Sequence, residues 1–285
     1  MNKLAVLAFA ILLFLSTMLW YLANGSLNDY LKSQVLLQSH YYSGQKSQLL
    51  SANFSTNSGI TTFTNFSVAN IDGLTQPQLF KVDNISVQLA ELATSQFDAP
   101  SVAKKTTTLV HVKQLRFNNL HAWSEIDKIS ETGKTNLEVL IKKVETKLAT
   151  DYPALYPQLS AELYAKMYPE RSEELALENI DSSREVAEIE TNKAVIASNA
   201  AKQKRRLLGK ALTRVRISSV LIEELTLTIV KDNKVMSKQF ENIELGSIGN
   251  EDGLDSNQLG GELLKLLLKE LIRLENSNTM ESLAN

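Results

Sequence analysis

Cysteine is absent from the chain. That absence alone excludes a disulfide scaffold, a thiolate metal site and a cysteine nucleophile. Histidine is scarce: His40, His111 and His121 are the only three, and no two stand at a metal-ligand spacing such as i, i+4. With 11 Gly and 5 Pro in 285 residues, collagen-like and low-complexity readings fail. A basic excess is missing as well. Thirty Lys and Arg against 32 Asp and Glu leave a net charge of −2, without the positive footprint of a general nucleic-acid binder. No GxGxxG or GxxxxGK[ST] loop and no GxSxG elbow occurs. The carboxylates Glu173, Glu174 and those from Asp181 to Glu190 read as the solvated face of a helix. The sequence thus predicts no catalytic residue, no cofactor, no metal and no small-molecule substrate. What it has is a globular composition, 44% hydrophobic and 22% charged, unlike that of a disordered chain.

One long apolar run is present. Leu4 to Ala23 carries no charge, and its 20 residues match the length a helix needs to cross a bilayer. Ser16 and Thr17 can bond back to the preceding turn, and Trp20 and Tyr21 sit where aromatic side chains prefer the interface. Leu4, Phe9, Leu13, Trp20 and Tyr21 mark the expected anchor. The run outlasts the 7–15-residue core of a cleaved signal peptide, and Tyr21-Leu22-Ala23 makes a poor cleavage site. Lys3 is the only charge before the run, so residues 1–25 are expected as a single-pass anchor with everything after Asn24 outside the cytoplasm.

The remainder, 26–285, reads as one α+β domain. A helix is expected from Ser26 to Tyr42, ended by Ser43-Gly44. Strands are expected at Leu50–Phe54, Ile60–Ala69, Leu79–Leu89 and Thr108–Asn118. Alternation puts Ile60, Thr62, Thr64, Phe66 and Val68 on one face, and Ile85, Val87 and Leu89 on another. Asn57-Ser58-Gly59 reads as a turn. Thr135-Asn136-Leu137-Glu138 has the spacing of a capping box before a helix lined by Leu137, Leu140, Ile141, Val144 and Leu148. Pro153 and Pro157 break it, and a second helix follows to Met167. Glu170 to Leu208 is charged, Ala-rich and poor in apolar residues, and reads as a protruding helical excursion within an insertion at about 151–208. Strand texture resumes at Arg214–Val230, with Val215, Ile217, Leu221, Leu225, Leu227 and Ile229 expected in one phase, and at Val235–Leu245. A Leu-rich helix starts near Asp255 or Ser256 and is apolar round most of its circumference, so it must be buried or meet lipid. Short links among the strands favour a curved antiparallel sheet covered by that helix.

Certain runs carry a resemblance. They are Gly59-Ile60-x-x-Phe63-x-Asn65-Phe66-x-Val68-Ala69-Asn70, then Asp72-Gly73-Leu74-Thr75-x-Pro77, then Leu79-Phe80-x-Val82-x-Asn84-Ile85-x-Val87. Val110-x-Val112-x-x-Leu115-x-Phe117, Thr135-Asn136-Leu137-x-x-Leu140, Arg216-Ile217-x-x-Val220-x-Ile222 and Phe240-Glu241-Asn242-Ile243-x-Leu245-x-x-Ile248-Gly249 extend it. The pattern resembles small, single-repeat members of the AsmA-like proteins of Gram-negative inner membranes. It covers nearly the whole chain except Asp151 to Leu208. It departs at Ile71, where the family usually has Pro, and in the length of the insertion. The resemblance implies a non-enzymatic, inner-membrane-anchored periplasmic protein linked to phospholipid handling or envelope assembly, with membrane lipid as partner. Larger members form curved, groove-bearing sheets thought to conduct lipid.

Two further sets of residues are candidates for function. Ile85, Val87, Leu89, Leu225, Leu227, Ile229 and Leu267 form either core or an acyl-chain groove between sheet and final helix. Lys202, Lys204, Arg205 and Arg206, the densest positive run, either complement a helix C-terminus or contact anionic headgroups, each worth about 1 kcal/mol near a membrane. The competing functional expectation is an envelope scaffold that binds another protein through its helical insertion.

Overall fold

A computed structural model describes residues 25–90, 108–126, 133–167, 213–231 and 234–283. The anchor residues Leu4, Phe9, Leu13, Trp20 and Tyr21 lie outside the described residues. So do Lys202, Lys204, Arg205 and Arg206 and the excursion from Glu170 to Leu208. Among the described residues no helix is long and apolar enough to cross a membrane.

The chain opens with helix α1 over residues 25–43. Gly44 ends it at φ +67°, its amide donating to the His40 carbonyl. Strands β1 (Ser47–Ser55), β2 (Ile60–Ala69), β3 (Gln78–Leu89) and β4 (Thr108–Glu125) then form an antiparallel meander. Helices α2 (Asn136–Asp151) and α3 (Pro157–Met167) follow, then β5 (Thr213–Lys231), β6 (Lys234–Ile248), the two-residue β7 (Leu254–Asp255) and α4 (Leu259–Leu283). The strand order is β1-β2-β3-β4-β5-β6, with β7 paired to the start of β5.

The expectation of an all-antiparallel sheet is corrected: β4 and β5 are parallel, pairing Val112 with Ile217 and Leu120 with Leu225. The connection between them, which includes α2 and α3, returns to the end of the sheet where β4 began, so β5 runs in the same direction. The sheet is mixed and curved within an α+β fold.

A second correction explains the curvature. The buried residues of β5 are Val215, Ile217, Val220, Ile222, Leu225, Leu227 and Ile229, and those of β4 include Val112, Leu115, Phe117, Leu120 and Ala122. Their spacing mixes twos and threes, whereas a regular strand gives only twos. Leu221 is therefore out of the core row, and Val220 and Ile222 are in it. Likewise β2 buries Thr61 and Phe63, then Phe66 and Val68, so Ile60, Thr62 and Thr64 do not share the face of Phe66.

These phase changes line up across the sheet. Leu49, Phe66, Val82, Leu120, Leu225 and Phe240 are successive partners in one inner row; Ala52, Phe63, Ile85, Phe117, Ile222 and Ile243 form the next. Between the rows every strand places two consecutive residues outward: Leu50-Ser51, Thr64-Asn65, Asp83-Asn84, Asn118-Asn119, Glu223-Glu224 and Glu241-Asn242. Asn65, Asn119 and Asn242 are the only non-glycine residues with positive φ among those described, at 51°, 57° and 53°. Asn tolerates that left-handed conformation better than other residues with a Cβ. Each double step bends its strand toward the inner face, as a bulge does. Repeated in all six strands, it folds the whole sheet along a line.

Candidate functional site

The hollow created by that fold is the natural place for a ligand, and here it is packed. Leu137, Leu140, Val144 and Leu148 of α2 and Leu264, Leu267, Leu268, Leu271 and Leu274 of α4 join the inner rows of the sheet in one core. Of the seven residues expected as groove or core, Ile85, Leu225, Leu227, Ile229 and Leu267 are each 8% exposed or less. Val87 and Leu89, toward the end of β3, pack against the core from a half-buried position. The face left partly open is β6. Its inner residues Phe240, Ile243 and Leu245 are half-buried, and Met236 is 43% exposed.

Close helix packing fills the hollow. Gly261 in the first turn of α4 has no room for a side chain: a Cβ there would lie 2.8 Å from Leu148 of α2 and 2.8 Å from the Tyr42 ring of α1. Gly260 is crowded by Gln38 of α1, whose Oε1 accepts from the Gly260 amide at 2.9 Å while its Nε2 donates to the Ser256 carbonyl at 3.0 Å. The cap of the last helix thus comes from the first. The expected start near Asp255 or Ser256 is too early, because Asp255 is in β7 and the helix opens at Leu259.

Two polar clusters sit at the ends of this core. In the first, the ends of α1 and α2 and the starts of α3 and α4 converge. The Tyr41 hydroxyl donates to Asp151 Oδ1 at 3.1 Å, and Lys147 approaches both Asp151 and the Tyr41 ring, at 3.9 Å and 4.2 Å. The Tyr42 hydroxyl donates to the Asn257 carbonyl at 2.7 Å. Tyr156 donates to Glu262, which also accepts from Gln258 at 3.0 Å and pairs with Lys265. Burial, followed by nearby carboxylates, raises Tyr41 and Tyr156 well above the ordinary phenol range. Glu262 is the reverse. Burial pushes it up, but hydrogen bonds from Lys265, Tyr156 and Gln258 outweigh that and hold it below the usual carboxylate value. These groups satisfy one another and tie α3 to α4.

In the second cluster, the motif residues meet. Asn136 Oδ1 accepts from the Glu125 amide at 3.0 Å, and its Nδ2 donates to Asn70 Oδ1 at 2.9 Å and to the Trp123 carbonyl at 3.0 Å. Asn70 Nδ2 donates to the Gln76 carbonyl at 3.0 Å. The buried Glu125 carboxylate accepts from the Thr75 amide, the Thr75 hydroxyl and the Gln76 amide. The capping box is present as expected, with Thr135 and Glu138 bonded reciprocally. Asn70, Thr75 and Asn136, far apart in sequence, thus form one network that pins the 70–77 loop to the end of β4 and the start of α2. These three lie in the runs that carry the resemblance, whereas no local pattern in the sequence marks Glu125.

The histidines are dispersed. His111 contacts Ser218, and His121 contacts Asn119 and stacks on Trp123. Among the described residues no group of three or more His, Asp or Glu is placed to hold a metal ion. Comparison with protein-family models, with curated proteins and with solved structures returned no match to this chain.

Proposed function

We propose that this is a membrane-anchored envelope protein, facing the periplasm from the inner membrane, whose folded domain acts without catalysis as a scaffold for another envelope protein. The observation that carries this reading is the packed hollow. α2 and α4 occupy the inner face of the sheet, so the surface that a lipid chain would need is already used by the protein's own leucines. The partner would be met by the insertion, whose sequence is charged and poor in apolar residues, with α3 fixed to α4 through Tyr156 and Glu262 as its base. Asn70, Thr75 and Asn136, which lie in the runs that resemble the AsmA-like pattern, serve one structural purpose here.

Phospholipid handling is the second reading, favoured by the half-open inner row Met236, Phe240, Ile243 and Leu245 of β6. One experiment separates the two. The intact protein and a form lacking Glu170 to Arg206 are purified from membranes, extracted lipid is identified by mass spectrometry, and bound proteins are compared. A scaffold loses its partner with the deletion and carries no stoichiometric phospholipid in either form. Stoichiometric phospholipid in both forms would overturn the scaffold reading in favour of lipid handling.

A further inference from the structure

We infer that the first two turns of α1 rest in the headgroup layer of the bilayer through Leu27 and Tyr30, and that the grip of α1 on the β1 edge fixes the angle of the sheet to the membrane. This rests on the reading of Leu4–Ala23 as a membrane anchor.

Three observations lead there. First, α1 carries two kinds of apolar side chain. Leu31, Val35, Leu36 and Tyr41 pack on the core, whereas Tyr30 is 59% exposed and Leu27 is 37% exposed. At spacing i, i+3 these two share a face. The next positions on that face, Ser33 and Gln34, are polar, so the exposed apolar surface stops after two turns. Second, that length matches the interface. The helix is already formed at Gly25, two residues after the apolar run. Leu27 is four and Tyr30 seven positions after Ala23; along a helix rising 1.5 Å per residue those separations would be about 6 Å and about 10 Å, against a headgroup layer about 5–8 Å deep on each side. Helical side chains lean toward the N-terminus, which carries the Tyr30 ring back toward the membrane. A tyrosine, apolar in body and polar at its tip, suits that depth.

Third, the opposite side of α1 is fastened to the sheet. Asn28 Oδ1 accepts from the Phe54 amide at 2.9 Å, and Lys32 Nζ donates to the Leu50 carbonyl at 2.9 Å. Both bonds use main-chain groups on the outer edge of β1, which no strand pairs among the described residues. Each residue is two positions from Tyr30, about 200° round the helix, so Tyr30 faces away from the sheet. The same bonds bring the uncharged β1–β2 turn, Thr56 to Gly59, beside the start of α1. With one Asp29 and one Lys32 there, the contact is with the apolar and interfacial part of the bilayer and needs no anionic lipid.

The native absence of cysteine makes the test direct. Single cysteines at Leu13, Leu27, Tyr30 and Met236 of the full chain are spin-labelled in phosphatidylcholine vesicles, and the accessibility of each label to oxygen and to a water-soluble nickel complex is compared. Labels at Leu27 and Tyr30 are expected to be shielded from nickel and accessible to oxygen, approaching the label at Leu13, while the label at Met236 stays open to nickel. If Leu13 is shielded but Leu27 and Tyr30 match Met236, the inference fails and the anchor stands. If Leu13 itself is open to nickel, the anchor reading fails and the inference with it. For the fastening, labels at Tyr30 and Asn53 should give a narrow distance distribution that broadens when Asn28→Ala and Lys32→Ala are combined. An unchanged narrow distribution would overturn the role of those two bonds.

Discussion

Glu275 of α4 is buried, with its Oε1 accepting from the Ser124 hydroxyl at 2.6 Å. Burial raises its pKa, and neighbouring Glu138 adds to the effect, while Ser124 and Lys231 work against it. A carboxyl held above its unfolded value binds its proton more tightly in the native state. Its contribution to stability is fully present below the unfolded pKa and is lost as pH rises through the folded one. Glu275→Gln removes that loss, so it should stabilise the protein near pH 8 and change little near pH 4, measured by urea denaturation at both. Glu262 has the opposite sign: its lowered pKa contributes stability above the unfolded pKa that is lost as pH falls through the folded value. The two carboxyls oppose each other along the pH axis.

Asn119 bears on the same scale. Its φ of 57° forbids a β-branched side chain without strain, while its Nδ2 donates to Asp83 Oδ2 at 2.6 Å on the exposed face. Asn119→Gly should cost little, well under 1 kcal/mol, because lost side-chain contact at an exposed site is offset by relieved backbone strain. Asn119→Val should cost about 1–3 kcal/mol by forcing the outlier. Equal melting temperatures for the two variants would show that the double step does not depend on that backbone conformation.

At the scale of elements, the helices were the most legible part. Periodicity and capping chemistry are local, so α2 was readable from Thr135 to Leu148, and Pro157 starts α3 as a proline can. The burial of α4 was readable from its leucines. Leu267, 3% exposed, tests it. Leu267→Asp places an unpaired carboxylate in the core at a cost of several kcal/mol against a total of about 5–15. The variant should lose cooperative thermal unfolding of the full chain in detergent; unchanged melting would mean that α4 is not core.

The strands are legible in the sequence but their phase is not, for a physical reason. Strict alternation assumes two residues per repeat, and a double step inserts a third. The spacing was visible in Val112-x-x-Leu115-x-Phe117 and in Ile217-x-x-Val220-x-Ile222, where apolar residues fall three apart and then two. The parallel direction of β5 was not legible, because it depends on where a crossover of nearly 90 residues returns. Nor was Gln38 as the cap of α4, a contact across 222 positions.

For the whole molecule, the two edges of the sheet are treated differently. α1 bonds two main-chain groups on the outer edge of β1, whereas no strand pairs with the outer edge of β6 among the described residues. Lys238 of β6 is the partner of Leu227, which belongs to the buried inner row, so an exposed lysine occupies an inner-row position at the rim. An inward charge of that kind discourages edge-to-edge pairing. Lys238→Val would extend the apolar row Val68, Phe80, Ala122 and Leu227 to the open edge. That variant should self-associate at concentrations where the natural protein does not, as read by sedimentation velocity. A monomeric variant would show that the edge is protected by other means.

The Gln38 cap also sets an order of events. The Gln38–Tyr42 end of the first helix is completed only by the last, since the site it occupies is built from Ser256, Asn257, Gly260 and Gly261. At 5–20 residues per second the ribosome needs about 10–45 s to supply the 222 residues between Gln38 and Gly260. Throughout that interval Tyr42, the inner rows of the meander and the apolar side of α2 have no final cover. A chain cut anywhere before α4 would therefore lack the cover of the core and the partner of Gln38 together.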